Sequence, residues 1–256
     1  MVLGRAAPRH DAAADALKRL FRHDPDRLAI VGVEVATETA DPGPIVDTLT
    51  RLVEDATGTT FLKRLAAGFP LDTIALVELG VRVTRKALAA QDDPGSAEHA
   101  RLLGSLGNRL LQLDELDDAL ACLVEAADVY KSLAADGDDA ATAAWAESLS
   151  DLGDALNLLG QHEDAVLRTE QAVDLLRTLG PEHGDTLVET LIDQAANLIA
   201  LNRDDDAAQI LADTAREAER IGPELLAHAL HHQGDALAQL GRLSEACAAT
   251  ETARAG

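Results

Sequence analysis

At 256 residues the chain is long enough for one or two compact domains, but aromatic residues make up only 2% of it, so its 47% hydrophobic fraction rests mainly on alanine and leucine, the best helix formers. The formal net charge of −23 repels nucleic acid phosphates and anionic lipid, which argues against nucleic acid and membrane partners and raises the local concentration of cationic ones. No run approaches the roughly 20 apolar residues of a membrane span and no signal-peptide pattern opens the chain, which reads as a cytoplasmic protein.

In chain order, residues 1–10 show no periodicity and read as a flexible tail. Residues 11–24 and 26–40 read as two helices split at Asp24-Pro25, and Pro42 with Pro44 closes that section. Helices over 45–56 and 59–68 follow, marked by Ile45, Leu49, Leu52 and Val53 and then by Phe61, Leu62 and Leu65. Together 11–70 form an irregular helical connector, ended by Pro70. A longer helix over 71–90, within a segment 71–95, carries Ile74, Leu76, Leu79, Val83 and Leu88 toward the repeats that come next. The charge shifts at the same place: residues 1–70 hold 9 Lys or Arg against 10 Asp or Glu, residues 71–256 hold 13 against 35.

From residue 96 the sequence repeats. In LSDLGDALNLLGQHEDA, Leu149, Leu152, Gly153 and Leu156 share one helix face, Gly160 marks a turn, and Ala165, Thr169 and Ala172 supply small residues where a second helix must lie close to Gly153. Leu103, Leu106, Gly107, Leu110, Ala119, Leu123 and Ala126 reproduce the pattern. Leu191, Ala195, Leu198 and Ala207 keep most of it, with Asn202 in place of the turn glycine and Gln194 at the second leucine. Leu230, Gly234, Leu237, Gly241 and Ala246 close the series, again with a glutamine, Gln233. The small residues 107, 153, 195 and 234 are 46, 42 and 39 apart, longer than a minimal tetratricopeptide (TPR) repeat of roughly 34.

These residues resemble the TPR pattern. The prediction is an all-α fold, a TPR-type α-solenoid of antiparallel helix pairs with an N-terminal helical connector, and about four repeats at 96–136, 140–180, 184–222 and 224–256. A wider resemblance rests on LDTIALVELGVRVTRKALAA and ARLLGSLGNRLLQLDELDDALACLVEAADVYKSLA, which are similar to the TPR sensor regions of actinobacterial multidomain signal-transduction ATPases. The chain departs from such a parent in having no GxxxxGK[ST] and no Gly-Lys pair, hence no loop that cradles phosphate. That leaves a fragment, a sensor separated from its ATPase, or a stand-alone scaffold.

An enzyme is not expected. GxSxG, HExxH and paired CxxC are absent, and Cys122 and Cys247 suggest neither a disulfide framework nor a metal site. The acidic clusters 114–118 and 204–206 are read as the openings of second helices, where carboxylates favour the positive end of the helix dipole. His228, His231 and His232 share one helix side, yet with no carboxylate or cysteine partner in a motif they are assigned to solvent or to a bound peptide. No metal and no cofactor are expected.

The TPR resemblance also implies which side chains line the inner groove. It assigns Arg101, Ser105, Asn108 and Gln112 from the first repeat, Glu147, Ser150, Asp151, Asp154 and Asn157 from the second, Glu189 and Asp193 beside Ile192 and Ile199 from the third, and His228, His231, His232 and Asp235 from the fourth. Glu147, Asp151 and Asp154 form an i, i+4, i+7 stripe that Glu189 and Asp193 continue, the reverse of a lysine and arginine clamp for acidic peptides. The expected activity is noncatalytic binding of a protein or peptide, with preference for polar or cationic segments. A merely solvated face is the bland reading of the same stripe, and self-association through the terminal repeat, giving a homo-oligomer, is the alternative function.

Overall fold

The computed structural model describes residues 19–20, 25–37, 42–56, 58–69 and 74–255. The expected tail 1–10 and nearly all of the expected helix 11–24 lie outside the described residues. From Pro25 on, the described residues form twelve α-helices: α1 (Pro25–Thr37), α2 (Gly43–Asp55), α3 (Thr59–Ala67), α4 (Ile74–Ala89), α5 (Ala97–Gln112), α6 (Leu116–Ala134), α7 (Asp139–Leu158), α8 (His162–Leu179), α9 (Gly184–Ala200), α10 (Asp204–Ile221), α11 (Pro223–Gln239) and α12 (Leu243–Ala255). The fold is all-α, a TPR-type solenoid of antiparallel helix pairs. It divides into two compact units, 1–122 and 123–256, with the division inside α6.

Helix starts follow local chemistry. Proline opens α1 and α11 and occupies the first turn of α2, where its missing N–H is no loss. Ser96 caps α5 by accepting from the His99 N–H at 3.2 Å, and Asp138 caps α7 by accepting from Ala140 and Ala141.

In the first unit, α1 to α4 bury one continuous apolar cluster that includes Val33, Ile45, Leu49, Leu62, Leu65, Leu76, Leu79 and Val83, with Leu102 of α5 joining it. The structure thus divides the apolar residues expected to meet the first repeat. Leu76, Leu79 and Val83 join the cluster of the connector helices, Val81 packs with Leu106, Leu110 and Ala119, and the partly buried Leu88 packs against both clusters. Two cations close the ends of connector helices. Lys86 Nζ donates to the carbonyls of Val53 and Glu54, both at 2.7 Å, at the end of α2. Arg109, only 3% exposed, donates to the carbonyls of Ala66 (3.0 Å) and Phe69 (3.2 Å) beyond α3, to the Ser105 carbonyl (2.8 Å) and to the Ser105 hydroxyl. Late carbonyls of a helix carry its negative end, so a cation there is favoured. Gly80 makes room for it: a Cβ at that position would stand 2.6 Å from Arg109 Nε.

One turn recurs four times. Asp114 (φ 62°), Gly160 (73°), Asn202 (57°) and Gly241 (72°) are left-handed, each seven residues after the small residue 107, 153, 195 or 234. At each, the next N–H donates five residues back: Glu115 to Leu110 (3.0 Å), Gln161 to Leu156 (2.8 Å), Arg203 to Leu198 (2.9 Å) and Arg242 to Leu237 (2.8 Å). The left-handed residue itself donates three back, as Gly160 does to Asn157 at 2.9 Å. This pair of bonds is the Schellman arrangement, which satisfies carbonyls that a helix end would leave unpaired. Asp114 corrects a sequence expectation: it belongs to this turn, and α6 begins only at Leu116.

The helix pairs then close through small residues. A Cβ on Gly153 would fall 2.9 Å from Thr169 Cγ2, and one on Gly234 would fall 2.7 Å from Thr250 Oγ1. Ala165, Thr169 and Ala172 are all 0% exposed. The interval between pairs fills with aliphatic side chains, as where Val166 meets Ala195, Leu198, Ala207 and Leu211.

Candidate functional site

In the second unit, α7 buries Ala146, Leu149, Leu152, Gly153 and Leu156 on one side. The same helical period leaves Glu147 and Asp154 exposed and Asp151 half-buried on another. On α9, burial of Val188, Leu191, Ala195 and Leu198 leaves Glu189 exposed and Asp193 half-buried. The two helices are tied by the Ser150 and Thr190 hydroxyls, 3.3 Å apart. Thr190 spends its proton on the Thr186 carbonyl at 2.8 Å, which leaves Ser150 as the donor between helices.

This packing brings Asp151, Asp154, Glu189 and Asp193 into one electrostatic group. Asp154 is pushed up to about 7, first by removal from bulk water and then by the charge of Asp193. Asp193 is pushed up to about 6, by burial and by the charges of Glu189 and Asp151. The side chain of Asp154 remains open to solvent; helices flanking it exclude much of the water that would otherwise stabilise its charge. Among the described residues, neither Asp154, Asp193, Glu147 nor Glu189 has an ion-pair partner. Four arginines of this unit pair elsewhere, each with a carboxylate three residues away: Arg216 with Asp213 and Arg220 with Glu217 within α10, and Arg203 with Asp206 and Arg242 with Glu245 across the starts of α10 and α12. Asn157, half-buried one turn past Asp154, extends the same side of α7.

The histidines form a second group on α11. His228 and His232 approach with their Nε2 atoms 3.1 Å apart, and His231 Nε2 lies 3.6 Å from Asp235 Oδ2. Burial and the neighbouring rings of His228 and His231 lower the pKa of His232. Arg101 and Asn108 belong to the first unit. There Arg101 is exposed and makes two 2.9 Å bonds to the Glu98 carboxylate, whose pKa it lowers, and Asn108 is half-buried on the same helix.

Sequence reasoning missed a cleft of about 490 Å³ between α6, α7 and α8 in the second unit, lined by Val124, Lys131, Trp145, Leu152, Arg168 and Leu175 among others. Lys131 Nζ stands 6.0 Å from the Trp145 ring centroid. The signal available was the chain's single tryptophan, placed outside the groove register. Among the described residues no helix is long and apolar enough to cross a membrane, and no three His, Cys, Asp or Glu side chains converge as metal ligands.

Repeated Schellman turns and small-residue helix contacts define a TPR-type fold, and solved structures share it. A variant of a Podosopora anserina putative kinesin light chain with nearly identical TPR-like repeats matches at 18% identity over 80% of this chain and 94% of that one, with a TM-score of 0.61. A Rap protein complexed with competence and sporulation factor matches at 14% identity over 82% of this chain and 58% of that one, with a TM-score of 0.63. MamA matches at 19% identity over 77% and 94%, with a TM-score of 0.50. No family model matches the chain, and no curated protein does. At these identities the likeness is one of fold.

Proposed function

We propose that this protein is a noncatalytic binding module that receives an extended, polar or cationic protein or peptide segment against Asp151, Asp154, Glu189 and Asp193. The observation that carries the reading is that Asp154 of α7 and Asp193 of α9 have no ion-pair partner among the described residues and are both pushed up, first by burial and then by neighbouring carboxylates, a cost that a cationic ligand would relieve. Glu147 adds charge at one end, and Asn108 and Asn157 offer amides to a peptide backbone in their respective units. His228, His231, His232 and Asp235 would contact a longer segment. The likeness to a Rap protein solved with competence and sporulation factor supports a binding role. In a longer parent of the kind that the ATPase resemblance implies, occupancy would pass to an effector.

A basic peptide library tested by fluorescence anisotropy should bind more weakly as salt rises and as Asp151→Lys plus Asp193→Lys reverses the charge. Undiminished binding by that double variant at low salt would exclude the acidic face. The alternative is self-association through the terminal repeat. Light scattering over a dilution series separates the two readings, since only assembly depends on protein concentration and is lost on deleting residues 224–256.

A further inference from the structure

The group on α11 has a geometry that its sequence spacing alone did not disclose. His228 and His232, one helical turn apart, point their Nε2 atoms at a common place 3.1 Å across, with ring centroids 4.7 Å apart and planes at 83°. Two nitrogen donors so separated, each at the roughly 2.0–2.1 Å of a zinc–imidazole bond, subtend about 100° at the ion. That angle lies between the octahedral and the tetrahedral, so the two nitrogens already have a chelate's separation, and binding turns each ring from the hydrogen-bond line toward the ion. His231 is turned away to Asp235, with 3.6 Å between Nε2 and Oδ2, and its ring centroid is 5.5 Å from that of His232.

We infer that His228 and His232 form a bidentate site for one borderline divalent ion of the zinc, nickel or copper class, bound through the two Nε2 atoms on the solvent-accessible side of α11. Imidazole nitrogen selects such ions over magnesium and calcium, which take oxygen ligands. Without the ion, one ring donates its Nε2 proton to the other. Coordination needs both lone pairs, so the donating ring moves its proton to Nδ1 and both rings stay neutral. With no third protein ligand converging among the described residues, the other positions are taken by water or by a carboxylate or imidazole of a bound molecule. The site gives an otherwise acidic unit a fixed positive centre, and it stands independently of the acidic face on α7 and α9.

The test is titration of the untagged full chain with zinc chloride at neutral pH by calorimetry, with magnesium chloride as control. One zinc ion per chain is expected, no magnesium, and two imidazole nitrogens coupled to copper(II) in the electron spin resonance of the copper form. His228→Ala and His232→Ala should each weaken zinc by at least about tenfold, the lower range seen for losing even an outer partner of a metal site, and His231→Ala should leave it unchanged. Circular dichroism would show that α11 keeps its helicity in each variant. Absence of binding at millimolar zinc, binding retained by the double alanine variant, or an equal loss in His231→Ala would overturn the assignment.

Discussion

The two units place their charges in opposite ways. In the first, Lys86 and Arg109 reach across tens of residues to satisfy the carbonyl ends of α2 and α3, and Arg109 does so while almost fully buried. In the second, Arg216 and Arg220 pair with carboxylates on their own helix, and Asp154 of α7 and Asp193 of α9 are left without an ion-pair partner among the described residues. Charge satisfied inside the protein holds helices in place; charge left unsatisfied on an accessible face is available to something else.

The largest effect should come from breaking the inner tie. Arg109→Met leaves the carbonyls of Ala66, Phe69 and Ser105 without their donor, and charged hydrogen bonds of this sort place the loss at about 3 kcal/mol. Urea unfolding followed by circular dichroism would measure it, and Arg109→Lys should recover little because an ammonium cannot reproduce the fork. An unchanged midpoint would mean that these bonds hold nothing.

Gly153→Leu probes the second unit by geometry alone. Its Cβ would already stand 2.9 Å from Thr169 Cγ2, and overpacking of this kind costs about 2 kcal/mol. Ala165→Leu should act in the same direction, since Ala165 is fully buried in the partner helix. The intrinsic fluorescence of Trp145, within the affected pair, is the natural reporter of melting.

Asp154→Asn probes the same unit by charge, with the opposite sign. The folded pKa of about 7 lies above the unfolded value of about 3.9, so the native state holds the proton more tightly. The stability this gives is complete below about pH 4 and is lost as pH rises through 7. The amide variant keeps the neutral form, so it should be more stable than wild type at pH 8, by about 1 kcal/mol once solvent screening of an exposed group is allowed for, and equal to it near pH 4. A pH-independent difference between the two melting curves would remove the case for strained carboxylates.

The smallest effect is shared by both units. Asp114→Gly and Asn202→Gly should each stabilise by about 0.5 kcal/mol, because each position is left-handed and glycine has no Cβ to strain there. Thermal melts of the two variants should shift upward together, and a downward shift in either would show that its side chain contributes to the turn.

Much of this architecture is written locally. Gly160, Asn202 and Gly241 could be recognised as turns because a left-handed backbone selects glycine or asparagine whatever surrounds it, and Gly153 announced a close helix contact by its missing side chain. Asp114 escaped because an aspartate among acids reads equally well as the start of a helix. The histidines were visibly on one helix side, since that follows from spacing, but the 3.1 Å approach of two ring nitrogens depends on rotamers chosen by packing. The TPR register put the acids of α7 and α9 on one face, and only the way those helices pack decided that burial, and then neighbouring carboxylates, would raise Asp154 and Asp193 toward neutrality. Sequence alone determined the helical class, three of the four turns and the small-residue contacts, because these are set within a few residues of chain. Tertiary structure decided which charges would be neutralised, because Arg109 meets carbonyls 40 and 43 residues away and no local pattern records where a helix will end in space.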